Sequence, residues 1–151
     1  MIGTYIFIFI VVVLIASGLF TVKQQTIAII ERFGKFQSTR KPGLQIKIPL
    51  IDRVSGRVSL RVQQLDVIVE TKTKDDVFVH LKISVQFLIR PGHVYDAFYK
   101  LQNPHEQITA FIFDVVRAEV PKMILDDVFE KKEEIALAIQ RDLKEAMLNY
   151  G

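Results

Sequence analysis

The chain has 151 residues, half of them hydrophobic, with 20 Lys and Arg against 17 Asp and Glu and no cysteine. That length supports one sizeable core but not two ordinary domains. The missing cysteines exclude a disulfide framework, a thiolate zinc site and a thiol nucleophile, and a net charge of +3, dispersed along the chain, is too weak to argue for nucleic acid.

The charge is unevenly distributed: no charged side chain precedes Lys23. Residues 2–22 read IGTYIFIFIVVVLIASGLFTV, close to the roughly 20 apolar residues that span the hydrocarbon layer as a helix. We therefore expect a transmembrane anchor over residues 1–22, with Ile2, Phe9, Val13, Leu19 and Val22 along its length. A cleaved signal peptide is disfavoured, because no Lys or Arg precedes the run and the run exceeds a usual signal core. A buried core helix is disfavoured because the run has no polar counterface. Lys23, Arg32, Lys35, Arg40 and Lys41 follow it, with Glu31 the only nearby acid. The positive-inside rule then places the body on the cytoplasmic side of a single-pass cell-membrane protein.

Residues 26–33, TIAIIERF, read as a strand that Gly34 breaks, with Lys35 and Phe36 continuing a hairpin. Arg40, Lys41, Pro42 and Gly43 form a turn. Leu44, Ile46, Ile48 and Leu50 alternate in a strand ending near Pro49. Val58, Leu60 and Val62 alternate in one phase and Leu65, Val67 and Val69 in the other, so a bulge or tight bend is expected at Gln63 and Gln64. Beyond the turn at Lys74, Asp75 and Asp76, every second residue from Val77 to Ile89 is apolar, which predicts a long half-buried strand. The period then lengthens to 3.6. Val94, Ala97, Phe98 and Leu101 form a short helical stripe. Asn103 caps a helix with Pro104 in its first position, Glu106 completing a capping box, and an apolar face of Ile108, Phe111, Ile112 and Val115. Pro121 ends or kinks it. A last helix starts at Asp126 or Asp127, with Ile135, Ile139, Leu143, Met147 and Tyr150 on one stripe. Strands first and helices second make the body α+β.

The residues offer little for catalysis. There is no G-x-S-x-G elbow and no phosphate-binding glycine loop. Thr109 stands where a second zinc-binding histidine would follow His105 and Glu106. His80, His93 and His105 read as surface or capping groups. We expect no enzyme activity, no catalytic residues, no metal and no cofactor. The segment with Leu44, Ile46, Ile48, Pro49, Leu50 and Ile51, flanked by Lys41, Lys47 and Arg53, admits two readings: an ordinary core strand, or an apolar edge touching the inner leaflet with basic residues near anionic headgroups. The mixed charges of the last helix, among them Glu130, Lys131, Glu134, Arg141, Lys144 and Glu145, read first as a solvated face with i,i+4 pairs.

Four blocks in order resemble the SPFH or Band 7 family of stomatins, prohibitins and flotillins, most nearly its bacterial stomatin-like branch. They are V-x-Q-Q-x-x-A-I-I-E-R-F-G-K-F at 22–36, R-K-P-G-L-Q-I-K-I-P-L-I-D-R-V at 40–54, the long strand ending before Arg90 and Pro91, and V-R-A-E-V-P-K-M-I-L-D-D-V-F-E-K-K-E-E-I at 116–135. The resemblance implies an SPFH domain over residues 23–151, C-terminally incomplete because members continue with a further strand and a coiled-coil helix. It implies a non-enzymatic membrane scaffold whose copies pack side by side in a ring or cage, organising a bilayer microdomain. In that setting the 44–51 edge lies close to the membrane and the six charged residues above set register between protomers. The implied partners are the bilayer, further copies of the chain, and a membrane-bound AAA+ protease or a nodulation-formation-efficiency-D-type membrane protein. The rival is a monomeric membrane-tethered adaptor or enzyme subunit.

Overall fold

A computed structural model of the protein describes residues 2–151. The chain forms two compact units: one holds the chain up to Arg61 together with Ile89–Tyr95, the other Val62–Leu88 together with Asp96–Gly151. Strands dominate the first half and helices the second, as the α+β reading expects.

The first unit opens with helix α1, Ile2–Gly18, which is exposed along its whole length except at Gly18. Among the described residues no helix is long and apolar enough to cross a membrane. With 17 residues α1 is about 25 Å long, against about 30 Å of hydrocarbon. The expected helix over 2–22 is therefore corrected. Leu19 and Val22 lie in strand β1, Leu19–Val22, paired antiparallel with β4, Gly43–Ile46. Val22 is in the protein core at 4% exposure. The Lys47 N–H donates to the Gly18 carbonyl at 2.9 Å and captures an acceptor that the helix end leaves open. From there the backbone groups of residues 19–22 pair across to β4 instead of winding another turn.

The body of this unit is a three-stranded antiparallel sheet, β3-β2-β5, of β2 Thr26–Arg32, β3 Lys35–Arg40 and β5 Asp52–Ser59. Ile27, Ala28, Ile29 and Ile30 of the central strand are all buried, as a strand covered on both faces requires. Its register slips at Ile30/Glu31 against β3 and at Ile29/Ile30 against β5. The expected strand from Leu44 onward is shorter than read: β4 stops at Ile46, and 49–51 form a turn.

The second unit is a long hairpin covered by helices. Strands β6, Gln63–Lys72, and β7, Phe78–Phe87, pair in unbroken register. The change of phase near Gln63 is a bend and not a bulge: β5 ends at Ser59, the chain bends at Arg61, and β6 starts in a different sheet. Val67 and Val69 pack with Ile108, Ile112, Val115 and Val116 of α3, Pro104–Glu119, and with Ile135, Ile139 and Leu143 of α5, Lys132–Met147. Asn103 caps α3, its side-chain oxygen accepting from the Glu106 N–H at 3.4 Å. Pro121 lies in a 3₁₀ turn, Val120–Lys122. The expected last helix is two, because Lys131 leaves helical geometry (φ −100°, ψ 22°) between α4, Leu125–Glu130, and α5. Tyr150 falls beyond α5, in a terminal 3₁₀ turn. The short helix α2, Val94–Tyr99, precedes α3.

Candidate lipid-contacting surface

Most of the exposed large hydrophobic residues among those described belong to the first unit. Along α1, Ile2, Tyr5, Phe7, Phe9 and Ile15 are each more than half exposed. The β1-β4 ribbon continues it. On one face, Leu19 is opposite Ile46 and Thr21 is opposite Leu44. Leu44 and Ile46 are both 68% exposed, whereas Gln45 between them is half-buried. An ordinary core strand would show the reverse, so the 44–46 alternation places its apolar residues outward.

The chain then enters a short loop. Ile48, Leu50 and Ile51 are exposed, and Pro49 is half-buried. Leu50 is 96% exposed and has φ 71°, a left-handed backbone that branched and bulky residues avoid. Two contacts hold the loop in that shape. The Asp52 N–H donates to the Ile48 carbonyl at 2.9 Å, and the Ile48 N–H donates to the Asp52 carboxylate at 3.0 Å. The same buried carboxylate receives Arg32 Nε at 2.8 Å and Nη2 at 3.3 Å, a two-point charge-assisted pair. The Arg32 guanidinium, helped by the Ile48 N–H, holds the Asp52 carboxyl below the usual carboxylate range.

The loop is also where α1 is fastened. A Cβ built on Gly18 would lie 2.7 Å from the Lys47 carbonyl oxygen and 3.5 Å from Pro49 Cδ. Only glycine permits this approach of helix end to loop. The residues read from the sequence as an anchor (Ile2, Phe9, Val13) and as a second contact (Leu44 to Ile51) are thus one structural piece, joined at Gly18.

Residues 20–151 match the family model for the SPFH domain / Band 7 family. The chain belongs to that family. It is 45% identical over 131 residues to Hypersensitive-induced response protein 4 of Arabidopsis thaliana, covering 86% of this chain and 45% of that protein. It is 30% identical over 130 residues to the mitochondrial Stomatin-like protein 2 of Homo sapiens, covering 86% of this chain and 36% of that one. Stomatin-like protein stl-1 of Caenorhabditis elegans is 30% identical over 112 residues, covering 74% and 34%. This Band 7 chain therefore spans less than half the length of each of these relatives.

The remaining sequence candidates are dispersed. Glu130, Glu134, Arg141, Lys144 and Glu145 are exposed, and Lys131 is half-buried at the α4–α5 break. Lys131 pairs with Asp127 at 3.6 Å, and Arg141 with Asp142 at 3.1 Å. Lys144 lines a groove of about 510 Å³ with Phe87, Ile139, Leu143 and Met147. His80 faces Glu70 at 3.6 Å, and His105 approaches Gln63 at 3.4 Å. Among the described residues no three His, Asp or Glu side chains are grouped to hold a metal ion. Sequence reading missed Phe33, which is 83% exposed at the β2–β3 turn. Its signal was present: a two-residue turn needing positive φ normally carries Asn, Asp or Gly, and here its first residue is phenylalanine.

Proposed function

We propose that this Band 7 chain is a membrane-anchored scaffold, with α1 embedded in the bilayer and copies assembled side by side on it. The observation that carries the reading is the joined surface of α1, the outward β4 face and the Ile48–Ile51 loop: about 25 Å of helix with no charge and no polar face, fixed at Gly18 to a loop whose apolar residues stay in solvent. Lys23, Lys35 and Lys41, following the helix in sequence and all exposed, favour the body on the cytoplasmic side. Each anchor and loop contact is modest, and side-by-side copies multiply them by avidity. The charged residues of α4 and α5, Glu130 to Glu145, would set register between neighbours more than strength. Such an assembly organises its patch of bilayer and acts on neighbouring membrane proteins, a membrane-bound AAA+ protease or a nodulation-formation-efficiency-D-type partner among them. It requires no substrate turnover.

Two measurements test this. The chain should stay with membranes through alkaline carbonate extraction, and its mass in mild detergent should be that of many copies. Extraction into the soluble fraction removes the anchor. A monomer that stays membrane-bound leaves the tethered adaptor instead.

A further inference from the structure

We propose that Phe33 and Leu50 form a pair of apolar prongs that insert into the headgroup–acyl boundary of the bilayer holding α1; this rests on the reading of α1 as embedded. The two residues are 17 positions apart, but the sheet brings their loops together. Strands β2 and β5 are antiparallel with Arg32 opposite Asp52. The β2–β3 turn at Phe33 begins one residue past Arg32, and the loop with Leu50 and Ile51 ends one residue before Asp52. Both therefore leave the same end of the three-stranded sheet.

Each prong is exposed in an uncommon way. Phe33 is 83% and Leu50 96% exposed, and both have positive φ, 51° and 71°. Asn or Gly would adopt that backbone with less strain, and a polar residue would suit water better. Two large apolar side chains kept at strained, solvated tips of one sheet end need an apolar partner. Local geometry identifies that partner as lipid. The Leu50 loop is the one that receives the end of α1, through the Gly18–Lys47 hydrogen bond, at a junction with no room for a side chain on Gly18. Exposed Lys35 follows the Phe33 turn and exposed Arg53 follows the Leu50 loop, a basic rim suited to anionic headgroups. Of the two acids at this end, Asp52 is turned inward onto Arg32 with its side chain 4% exposed, and Glu31 is half-buried.

The chain contains no tryptophan, so one introduced residue is a sole reporter. Phe33→Trp, Leu50→Trp, Phe9→Trp and Lys23→Trp of the whole chain are reconstituted in vesicles of phosphatidylcholine and phosphatidylglycerol that carry no bromine, bromine on shallow acyl carbons about 5–10 Å into the interface, or bromine on deep acyl carbons at the level of Phe9. Phe33→Trp and Leu50→Trp should emit at shorter wavelength and be quenched by the shallow-brominated lipid. Lys23→Trp, at the opposite end of β2, should do neither. Quenching of Phe9→Trp alone overturns the prongs and leaves the anchor standing; no quenching of Phe9→Trp overturns both. A blue shift at Phe33 or Leu50 without lipid quenching assigns the tip to a protein contact and overturns the proposal. A second arm uses Phe33→Asn with Leu50→Asn, a pair the backbone tolerates. Its maximum insertion pressure into a monolayer of the same lipids should fall below that of the parent chain, and an unchanged pressure overturns the proposal.

Discussion

Leu50 and Phe33 sit where the backbone asks for a different residue. A left-handed conformation costs an ordinary L-residue about 1–2 kcal/mol, and asparagine less. Leu50→Asn and Phe33→Asn should each raise stability by about 1 kcal/mol. The check is a higher urea midpoint with an unchanged slope, which separates a stability gain from a change in the unfolded chain. Unchanged or lower midpoints would show that these side chains pack in the folded body after all. Asp52 gives the pH dependence at this scale. Its carboxyl is held low by Arg32 and the Ile48 N–H. The folded value lies below the unfolded one, so its contribution is complete above the unfolded carboxylate range and is lost as pH falls through the lower, folded value. The Ile48 amide resonance should titrate with a midpoint below that of a free aspartate, and Asp52→Asn should abolish the titration. A midpoint at the free-aspartate value would mean that the carboxylate does not hold the loop.

Two elements depend on contacts made far along the chain. Thr73 is 3% exposed at the β6–β7 turn. Its hydroxyl donates to Asp75 at 2.6 Å and accepts from the Val77 N–H at 3.2 Å. The same Asp75 oxygen accepts from the Leu125 N–H at 3.1 Å, so the hairpin turn caps α4 from 50 positions away. Thr73→Val keeps the shape and removes the hydroxyl, which should cost about 1–3 kcal/mol by leaving buried polar groups unpaired. Denaturant unfolding reads this loss, and an effect as small as that of Thr71→Val, at a half-buried strand position, would count against the staple. At the other junction, Gly18→Ala gains about 1 kcal/mol of helix propensity but sets a methyl 2.7 Å from a backbone oxygen that cannot swing away. The clash should win, with a net loss of about 1–3 kcal/mol. These contacts explain what the sequence made legible. The β7 alternation and the Asn103–Pro104 helix start are local signals, and both appear where they were read. The end of α1 is not local: Leu19, Phe20, Thr21 and Val22 suit a lipid helix as well as a strand, and only β4, 20 or more residues on, decides. Nor does the α4–α5 break carry a signal, since no glycine or proline stands near Lys131. The outward face of β4 was open on sequence alone, because alternation fixes two faces but not which one meets a core.

At the scale of the whole molecule, the length of α1 is the decisive quantity. A helix of 17 residues falls a few Å short of a typical hydrocarbon layer. The chain does not relieve the shortfall by winding further, because β1 is committed to β4 and Val22 to the core. If α1 is embedded as proposed, the bilayer must adjust instead, at a fraction of a kcal/mol per Å of mismatch. A few Å of relief amounts to about 1–2 kcal/mol, or roughly tenfold in partitioning. In competition between vesicles of short-chain and long-chain phosphatidylcholine, the full chain should favour the thinner bilayer by about that factor. Two inserted Ile residues after Val13 would lengthen α1 by about 3 Å without touching the Gly18 junction, and should shift the preference toward the thicker bilayer. The insertion makes the argument specific: a helix lying outside the hydrocarbon would add apolar surface without changing which thickness is preferred. No preference in the parent chain, or none of the shift on insertion, would place α1 on the bilayer rather than in it. The proposed side-by-side assembly would then have to be held by protein contacts alone.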